Sequence, residues 1–344
     1  MKAEPPNPLA SGALALQCLT KSVAGQPLRL PPEGVTRPNH FATQQRFLET
    51  EGRPLFLTDW DRVVFIHYQI NARVLQSHVP FLLDLHDGDA YISLVAFTQS
   101  RLRPFLGGSA LAWMGDLAAN HEFLNVRTYV SHDGEAGIYF LAEWVPNLLA
   151  TWIAPRMYGF PYRFGRLDYH YDSENMAEKP KNVMLSVNEA SPREMLTRDS
   201  SSAFGRFRMT PKGILDFQTP SERDELFRET HAWHKTFACE IKVHSIEPFQ
   251  PCAHRSLDEF LMERYTAFTQ RGRKQRFFRI WHEPWRQVPI DVTIENNGLL
   301  ASNWAWFENA QLVGAHYSPG VTGVWIGRPH TIRSERRFHH AADS

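Results

Sequence analysis

The pattern of apolar and polar positions is most informative in residues 122–168. Two runs, EFLNVRTYV and GIYFLAEWVP, have the alternation and composition of β-strands, an apolar helix follows them, and YGFPYRFGRLD predicts a third strand. These strands are largely apolar but keep five polar side chains: Asn125, Arg127, Glu143, Arg163 and Arg166. Burying such groups is costly unless they are paired or used, so this stretch is the first place to look for a site.

Residues two apart in a strand share a face, which divides each predicted strand into two sets. In the first strand one face carries His121, Phe123, Asn125, Arg127 and Tyr129. In the second strand the faces are Tyr139, Leu141 and Glu143 against Ile138, Phe140, Ala142 and Trp144. If the two strands pair, Arg127 and Glu143 can therefore lie on the same side and form a partly buried ion pair.

This pairing leaves two interpretations of Arg127. A buried ion pair can be purely structural and hold the register of the sheet. Alternatively, Arg127 binds a ligand, because a guanidinium at the base of an apolar pocket is a natural receptor for a carboxylate.

Elsewhere the predicted strands outnumber the helices. Strand-like runs occupy residues 62–70, 81–85, 91–101, 183–187, 203–209, 214–217, 237–246, 277–281, 290–294, 310–316 and 321–326. The runs at 81–85 and 91–101 predict a hairpin, as do those at 203–209 and 214–217. Helix starts are predicted after Asn71, at Thr219 and at Ser256, where helical spacing continues to Phe268. Few strands are joined by helical crossovers, which predicts a mainly β (α+β) fold, an antiparallel or mixed sheet closed into a barrel with peripheral helices.

Composition sets the domain organisation and excludes several classes of protein. Residues 1–53 are rich in Pro, Gly and Ser and predict an extended or disordered arm, residues 54–330 a single domain, and residues 331–344 a frayed tail. The 344 residues carry 37 basic and 37 acidic side chains, and this net charge of zero argues against a nucleic-acid partner. No apolar run is long enough to span a bilayer, so no membrane segment is expected.

The remaining candidate chemistry is sparse. Three widely spaced cysteines without CxxC spacing indicate a reduced, cytoplasmic protein. His231 and His234 lie three apart but lack a third ligand at a telling distance, so neither a metal nor another cofactor is predicted. His67 is interpreted as a hydrogen-bonded core residue and the HEPW run at 282–285 as a turn or bulge. Signatures of serine hydrolases, P-loop proteins and dinucleotide-binding proteins do not occur.

Several segments together resemble a known family. They are residues 60–70 followed by a short helix, DGDAYISLVAF at 87–97, FLNVRTYV at 123–130, YGFPYRFGRL at 158–167, SLDEFLMERYTAFTQRGR at 256–273 and HEPW at 282–285. Their order and spacing resemble the YqjF-like family of uncharacterised bacterial proteins, in the acetoacetate-decarboxylase-like superfamily. The resemblance implies an antiparallel β-barrel with peripheral helices that encloses a cavity of small-molecule size.

The same resemblance bears on mechanism. The enzyme that names the superfamily forms a Schiff base through a lysine in a Pro-Lys-Lys segment. At that position this chain has Pro161-Tyr162-Arg163, and residues 158–168 contain no lysine. Neither tyrosine nor arginine can form a Schiff base, so decarboxylation by that route is not expected.

Two functions in different classes follow from the sequence, and a structural or partner-binding role is a third. The first is a binding protein for a small anionic or oxo-bearing molecule, with ligand contacts from Asn125, Arg127, Tyr129 and Arg163. The second is an enzyme on the same cavity, in which Tyr162 or Glu143 donates or accepts a proton while arginine stabilises an anion. The sequence is compatible with a homo-oligomer and leaves the oligomeric state open.

Overall fold

The computed structural model describes residues 40–106, 120–172, 180–189, 235–243 and 248–332. The predicted hairpin at 203–217, the helix start at Thr219 and the pair His231 and His234 lie outside the described residues. Within the described residues, no helix has the length and hydropathy needed to cross a membrane.

The described residues form fifteen strands and few helices, as expected for a mainly β protein. The strands are β1 (Phe56–Ile70), β2 (Leu82–Leu83), β3 (Ala90–Pro104), β4 (His121–His132), β5 (Glu135–Val145), β6 (Tyr162–Tyr171), β7 (Asn182–Glu189), β8 (Thr236–Lys242), β9 (Gln250–Pro251), β10 (Thr266–Arg271), β11 (Lys274–Trp281), β12 (Arg286–Pro289), β13 (Asp291–Asn296), β14 (Gln311–Ile326) and β15 (His330–Thr331). The helices are α1 (His40–Glu51), α2 (Ala72–Gln76), α3 (Leu148–Met157), α4 (Leu257–Met262) and α5 (Gly298–Asn303), with a 3₁₀ helix at Ala305–Asn309.

The strands form one mixed sheet that curls back on itself. Seven of them pair in the circular order β5–β10–β11–β14–β1–β3–β4, and β4 pairs again with β5. The β5–β10 and β11–β14 junctions hold only two residue pairs each, so the ring is partial. The β5–β10 and β5–β6 pairs are parallel, and β6, β7, β8 and β13 extend the sheet beyond the ring.

Side-chain alternation separates two apolar cores across the ring strands. In β1, Val63 and Phe65 pack in one cluster, whereas Val64 and Ile66 pack in the other. The first cluster lines the inside of the ring, and the second lies between the ring and the β6–β7–β8–β13 extension. Because both faces of β1 are covered here, its sequence is apolar at every position from Val63 to Ile66. The strand lies between β14 and β3 in the sheet.

Several elements differ from the sequence expectations. Residues 40–51, inside the segment expected to be an extended or disordered arm, form α1. The strand β2 pairs with β4 instead of forming a hairpin with β3. The two runs at 310–316 and 321–326 are parts of one long strand, β14.

The predicted helix after Ser256 is real but shorter than its apolar spacing suggests. The Ser256 hydroxyl accepts a hydrogen bond from the amide of Glu259 at 3.1 Å, as an N-cap should. The helix ends at Met262, and residues 266–271 form β10 in pairs with β11. Phe268, the last residue of the helical spacing, therefore lies in a strand, because pairing with β11 outweighs local preference.

Candidate functional site

A cavity of about 220 Å³ lies inside the ring. Its walls come from β1, β3, β4, β5 and β11, and the inward residues of α3 close one side. Eight phenylalanine and tryptophan rings give the cavity most of its apolar character: Phe56, Trp60, Phe97, Phe123, Phe140, Phe160, Phe278 and Trp285. A cavity of this size and lining suits a small molecule with an apolar body.

Polar side chains enter this apolar wall from β4. Asn125 and Arg127 both line the cavity, two residues apart on the inner face, as the alternation predicted. They are 6% and 8% exposed. Nη2 of Arg127 donates to the Leu261 carbonyl at 3.1 Å, but Nε of Arg127 and Oδ1 of Asn125 have no hydrogen-bond partner among the described residues.

Glu143 reaches the same cavity from β5 because that strand contains a β-bulge. Val126 pairs with Ala142 and Arg127 with Phe140, so Leu141 is the extra residue. The bulge places Phe140 and Glu143 on the same face, and both line the cavity. The assignment of these two residues to opposite faces was therefore wrong, since it assumed an unbroken period of two.

The carboxyl of Glu143 is buried and unpaired. It is 4% exposed, and Oε2 has no hydrogen-bond partner among the described residues. Burial raises the pKa of Glu143 well above its ordinary value. Burial therefore favours the protonated form, and in that form the carboxyl can donate a hydrogen bond into the cavity.

Arg127 and Glu143 share the cavity but do not form the ion pair that the sequence suggested. Within the described part of the chain, Nε of Arg127 and Oε2 of Glu143 each lack a partner. Burial also lowers the pKa of the Arg127 guanidinium, although arginine remains charged across the physiological range. The cavity thus holds a cation that no cavity-wall carboxylate neutralises by direct contact within the described residues.

Tyr162 lies beside Glu143, its direct neighbour across the parallel β5–β6 pair, and it lines the cavity. Burial, followed by the Glu143 charge, raises the pKa of Tyr162 well above its ordinary value. Its phenol is therefore a hydrogen-bond or proton donor and not a base.

Two of the predicted ligand-binding residues lie outside the cavity lining. The hydroxyl of Tyr129 donates to the Leu261 carbonyl at 2.8 Å, and the residue is 1% exposed. Arg163 follows Tyr162 in β6 and so points to the opposite face, where it binds Asn303 and lies 3.3 Å from Glu189. The structure does not bring Arg163 to the cavity, because adjacent residues of a strand face opposite ways.

Sequence patterns did not reveal several further polar groups in the wall. Arg264, which follows α4, lines the cavity and forms a buried ion pair with Asp84 at 2.7 Å. Gln99, His121 and His282 also line it. His121 lay on a strand face that the sequence analysis had singled out, and His282 and Arg264 lie in segments that carry the family resemblance, but no pattern assigned any of these residues to the site.

A second carboxyl influences Arg127 from outside the cavity lining. Glu263 accepts hydrogen bonds from the Tyr265 hydroxyl at 2.6 Å and the Trp285 amide at 2.9 Å. Burial raises the pKa of Glu263 to about 7, and the nearby Arg127 charge opposes that rise. The charge near Arg127 consequently changes close to neutral pH.

The described part of the cavity wall does not support lysine or metal chemistry. None of the described residues that line the cavity is a lysine, in agreement with the absence of lysine from residues 158–168. Among the described residues, no group of three or more His, Cys, Asp or Glu side chains is arranged to hold a metal ion.

Fold and cavity together define a mainly β protein whose partial ring of strands surrounds a small aromatic-walled cavity. The chain belongs to the DUF2071 family of uncharacterized conserved proteins, whose family model matches residues 58–322. It is 25% identical over 246 residues to the uncharacterized protein YqjF of Bacillus subtilis (strain 168), which covers 69% of this chain and 77% of YqjF. These matches confirm the resemblance to the YqjF-like family.

Solved structures with similar chain folds include enzymes of the acetoacetate decarboxylase group. One is an acetoacetate decarboxylase-like enzyme from Sphingomonas wittichii RW1, with 11% identity, coverage of 89% of this chain and 97% of that chain, and a TM-score of 0.48. Another is an acetoacetate decarboxylase from Legionella pneumophila, with 8% identity, coverage of 80% and 87%, and a TM-score of 0.45.

Proposed function

We propose that the protein binds a small molecule that carries a carboxylate or oxo group on an apolar body. The observation that supports this most strongly is the set of buried polar atoms without partners on one cavity wall: Asn125 Oδ1, Arg127 Nε and Glu143 Oε2. Buried polar atoms are nearly always hydrogen-bonded, so three in one cavity call for a ligand that supplies the missing contacts.

The three groups differ in what they recognise. Arg127 offers an unpaired N–H on a buried cation, which favours a carboxylate. The protonated carboxyl of Glu143 favours a carbonyl oxygen, and Asn125 Oδ1 accepts a hydrogen bond from a donor. The aromatic walls favour an apolar or aromatic remainder, so a 2-oxo acid with a ring or short chain is a suitable probe.

Calorimetry with benzoylformate and benzoate tests this proposal, because the two acids differ by one oxo group. Arg127→Met removes the cation at similar volume and should weaken both acids by about 10–100-fold, which corresponds to the roughly 1.5–3 kcal/mol of a charged hydrogen bond. Arg163→Met is the matched control, since this arginine faces away from the cavity and should leave affinity unchanged. Thermal unfolding of each variant checks that the fold is intact.

Two outcomes would contradict the proposal. One is equal affinity in the wild type and a folded Arg127→Met variant. The other is that the wild type binds neither acid, nor a panel of smaller aliphatic 2-oxo acids that the cavity can contain.

We place these ligands among cytoplasmic metabolites, which fits the free thiols of Cys239 and Cys252.

The state of Glu143 favours a second function, acid–base chemistry on the same ligand. A buried carboxyl whose protonated form is favoured can donate its proton to an oxo group while Arg127 holds the carboxylate and water removes a hydrogen from the adjacent carbon. Tyr162 lies next to Glu143 and can act in the same sense. Exchange of the pyruvate methyl hydrogens in D₂O, followed by NMR, should be faster with the protein and lose that acceleration in Glu143→Gln. Equal exchange rates with and without the protein would eliminate this function.

A further inference from the structure

A row of polar side chains crosses the inner face of the sheet beneath α4. His67 Nδ1 lies 2.6 Å from the Ser93 hydroxyl, its direct partner across the β1–β3 pair. His67 Nε2 lies 3.2 Å from Nδ1 of His316 in β14, and His316 Nε2 lies 3.3 Å from Oδ1 of Asp258. On the other side, the Ser93 hydroxyl bonds the hydroxyl of Tyr129 in β4. The five side chains form one continuous hydrogen-bonded chain.

Both ends of this chain return to α4. Asp258 is the second residue of the helix, and the Tyr129 hydroxyl donates to the carbonyl of Leu261, three residues further on. The same carbonyl accepts the bond from Arg127 that was described above. Tyr129, Ser93, His67 and His316 are buried, whereas the Asp258 side chain is 41% exposed. Only the Asp258 end therefore reaches solvent, while the other end holds a cavity residue.

With His316 protonated, the hydrogen-bond directions follow from the groups present. Both ring nitrogens of His316 then donate, one to the Asp258 carboxylate and one to His67 Nε2, which must be bare. Neutral His67 consequently carries its hydrogen on Nδ1 and donates to Ser93. Ser93 must then donate to Tyr129, whose own hydrogen goes to the α4 carbonyl.

With His316 neutral, the directions reverse. The Asp258 carboxylate can only accept, so the single hydrogen of His316 lies on Nε2 and Nδ1 becomes an acceptor. His67 must then donate from Nε2, which leaves its Nδ1 to accept from Ser93. Ser93 in turn accepts from Tyr129, and the α4 carbonyl keeps only its bond from Arg127.

We propose that this chain is a one-proton switch, in which protonation of His316 beside Asp258 reverses the hydrogen bonds through His67 and Ser93 and turns the Tyr129 hydroxyl onto the carbonyl that holds Arg127. The two states differ by one proton, which is taken up from solvent. His67 changes tautomer between them without becoming charged. His67, Ser93 and His316 are thus positioning residues for the cavity arginine, and they act through Tyr129 and the carbonyl.

The surroundings of the chain favour this distribution of charge. Burial, followed by the charges of His316 and Arg127, lowers the pKa of His67 well below its ordinary value, which keeps that ring neutral. The hydrogen bond with His316 lowers the pKa of Asp258, which keeps the carboxylate ionised. Further titratable groups act on the ends of the chain: Cys252 interacts with Asp258, and Glu263 and Arg264 interact with Arg127. Arg264 forms its ion pair with Asp84 and takes no part in the hydrogen-bonded chain.

NMR of the full-length protein labelled with ¹⁵N-histidine tests the switch without a ligand. His67→Gln and His316→Gln assign the two rings. As the pH falls, His316 should become doubly protonated, and at the same pH the hydrogen of His67 should move from Nε2 to Nδ1. Asp258→Asn removes the carboxylate that stabilises the charged ring, so both changes should shift together to lower pH. His254→Gln, an 80% exposed histidine close to the same helix, should shift neither.

Three outcomes would overturn the switch. The first is that the His67 tautomer is the same on both sides of the His316 transition. The second is that Asp258→Asn shifts the transition of one ring but not that of the other. The third is that His316 shows no change of protonation over the whole pH range in which the protein stays folded. The consequence for ligands rests on the proposed function. For each acid that binds, the affinity should show a step at the pH of the tautomer change in the wild type, and this step should be missing in Ser93→Ala. A tautomer change in a protein that binds neither benzoate, benzoylformate nor the aliphatic 2-oxo acids at any pH would refute the proposed function and leave the switch intact.

Discussion

The Glu143→Gln variant should be more stable than the wild type at high pH, and its advantage should grow as the pH rises, although the substitution removes a cavity-lining acid. In the wild type the carboxyl is 4% exposed, and burial alone raises its pKa. A group whose folded pKa is raised adds stability only while it holds its proton. Below the unfolded value of about 4.3 both states are protonated, and the wild type and Glu143→Gln should differ little.

Above that value the unfolded chain releases its proton first. The folded state then binds more protons than the unfolded state, so wild-type stability falls as pH rises until the raised folded pKa is passed. For one proton the slope is at most about 1.4 kcal/mol per pH unit. Glu143→Gln carries no such proton, so its advantage over the wild type should grow with that slope and then level off above the folded pKa.

Urea denaturation of both proteins at several pH values between about 5 and 8 measures the difference. Glu189→Gln is the matched control, because Glu189 lies 3.3 Å from Arg163 and loses a partner when neutralised. That variant should not gain stability with rising pH. A difference between the wild type and Glu143→Gln that stays flat across this range would refute the claim that Glu143 is buried as an acid.

Two further predictions concern the frame of the site. Arg264 and Asp84 have side chains only 2% and 4% exposed and lie 2.7 Å apart, so Asp84→Ala should cost about 3–5 kcal/mol in urea denaturation, and a loss below 1 kcal/mol would show that the pair is not truly desolvated. Gly320 has φ +114°, and a Cβ there would lie 2.0 Å from the Trp60 carbonyl, so Gly320→Ala should cost more than about 3 kcal/mol of unfolding free energy in the same assay. Gly323 has φ +67° and open space around it, so Gly323→Ala should cost only about 1–2 kcal/mol. Equal losses in the two variants would contradict the steric argument.

The local pattern of apolar and polar residues was sufficient to predict most of the described strands and part of the cavity lining. The period of two placed Asn125 and Arg127 together, and both line the cavity. The same period failed at Glu143, because one extra residue in β5 changes the face of everything beyond it. A bulge of this kind depends on which strand lies opposite, and that information is not local.

Contacts between segments far apart in the sequence were the part of the site that the sequence could not predict. His67 and His316 are 249 residues apart, so nothing near His67 in the sequence marks its partner. The interpretation of His67 as a hydrogen-bonded core residue agrees with its contacts, but the chain to Asp258 needed the order of strands β14, β1, β3 and β4. Arg264 likewise owes its buried position to Asp84, 180 residues earlier.

The position of Glu51 affects how this protein should be dissected. Its carboxylate is 1% exposed at the end of α1, where His330 Nε2 lies 2.6 Å away and the Arg328 amide donates at 3.2 Å. Phe47 of the same helix packs against Trp325. All five of these residues fall outside the span that the family model matches. A fragment trimmed to residues 58–322 would remove both partners of each of these contacts, so the boundaries of a recombinant fragment should enclose at least His40 to Thr331.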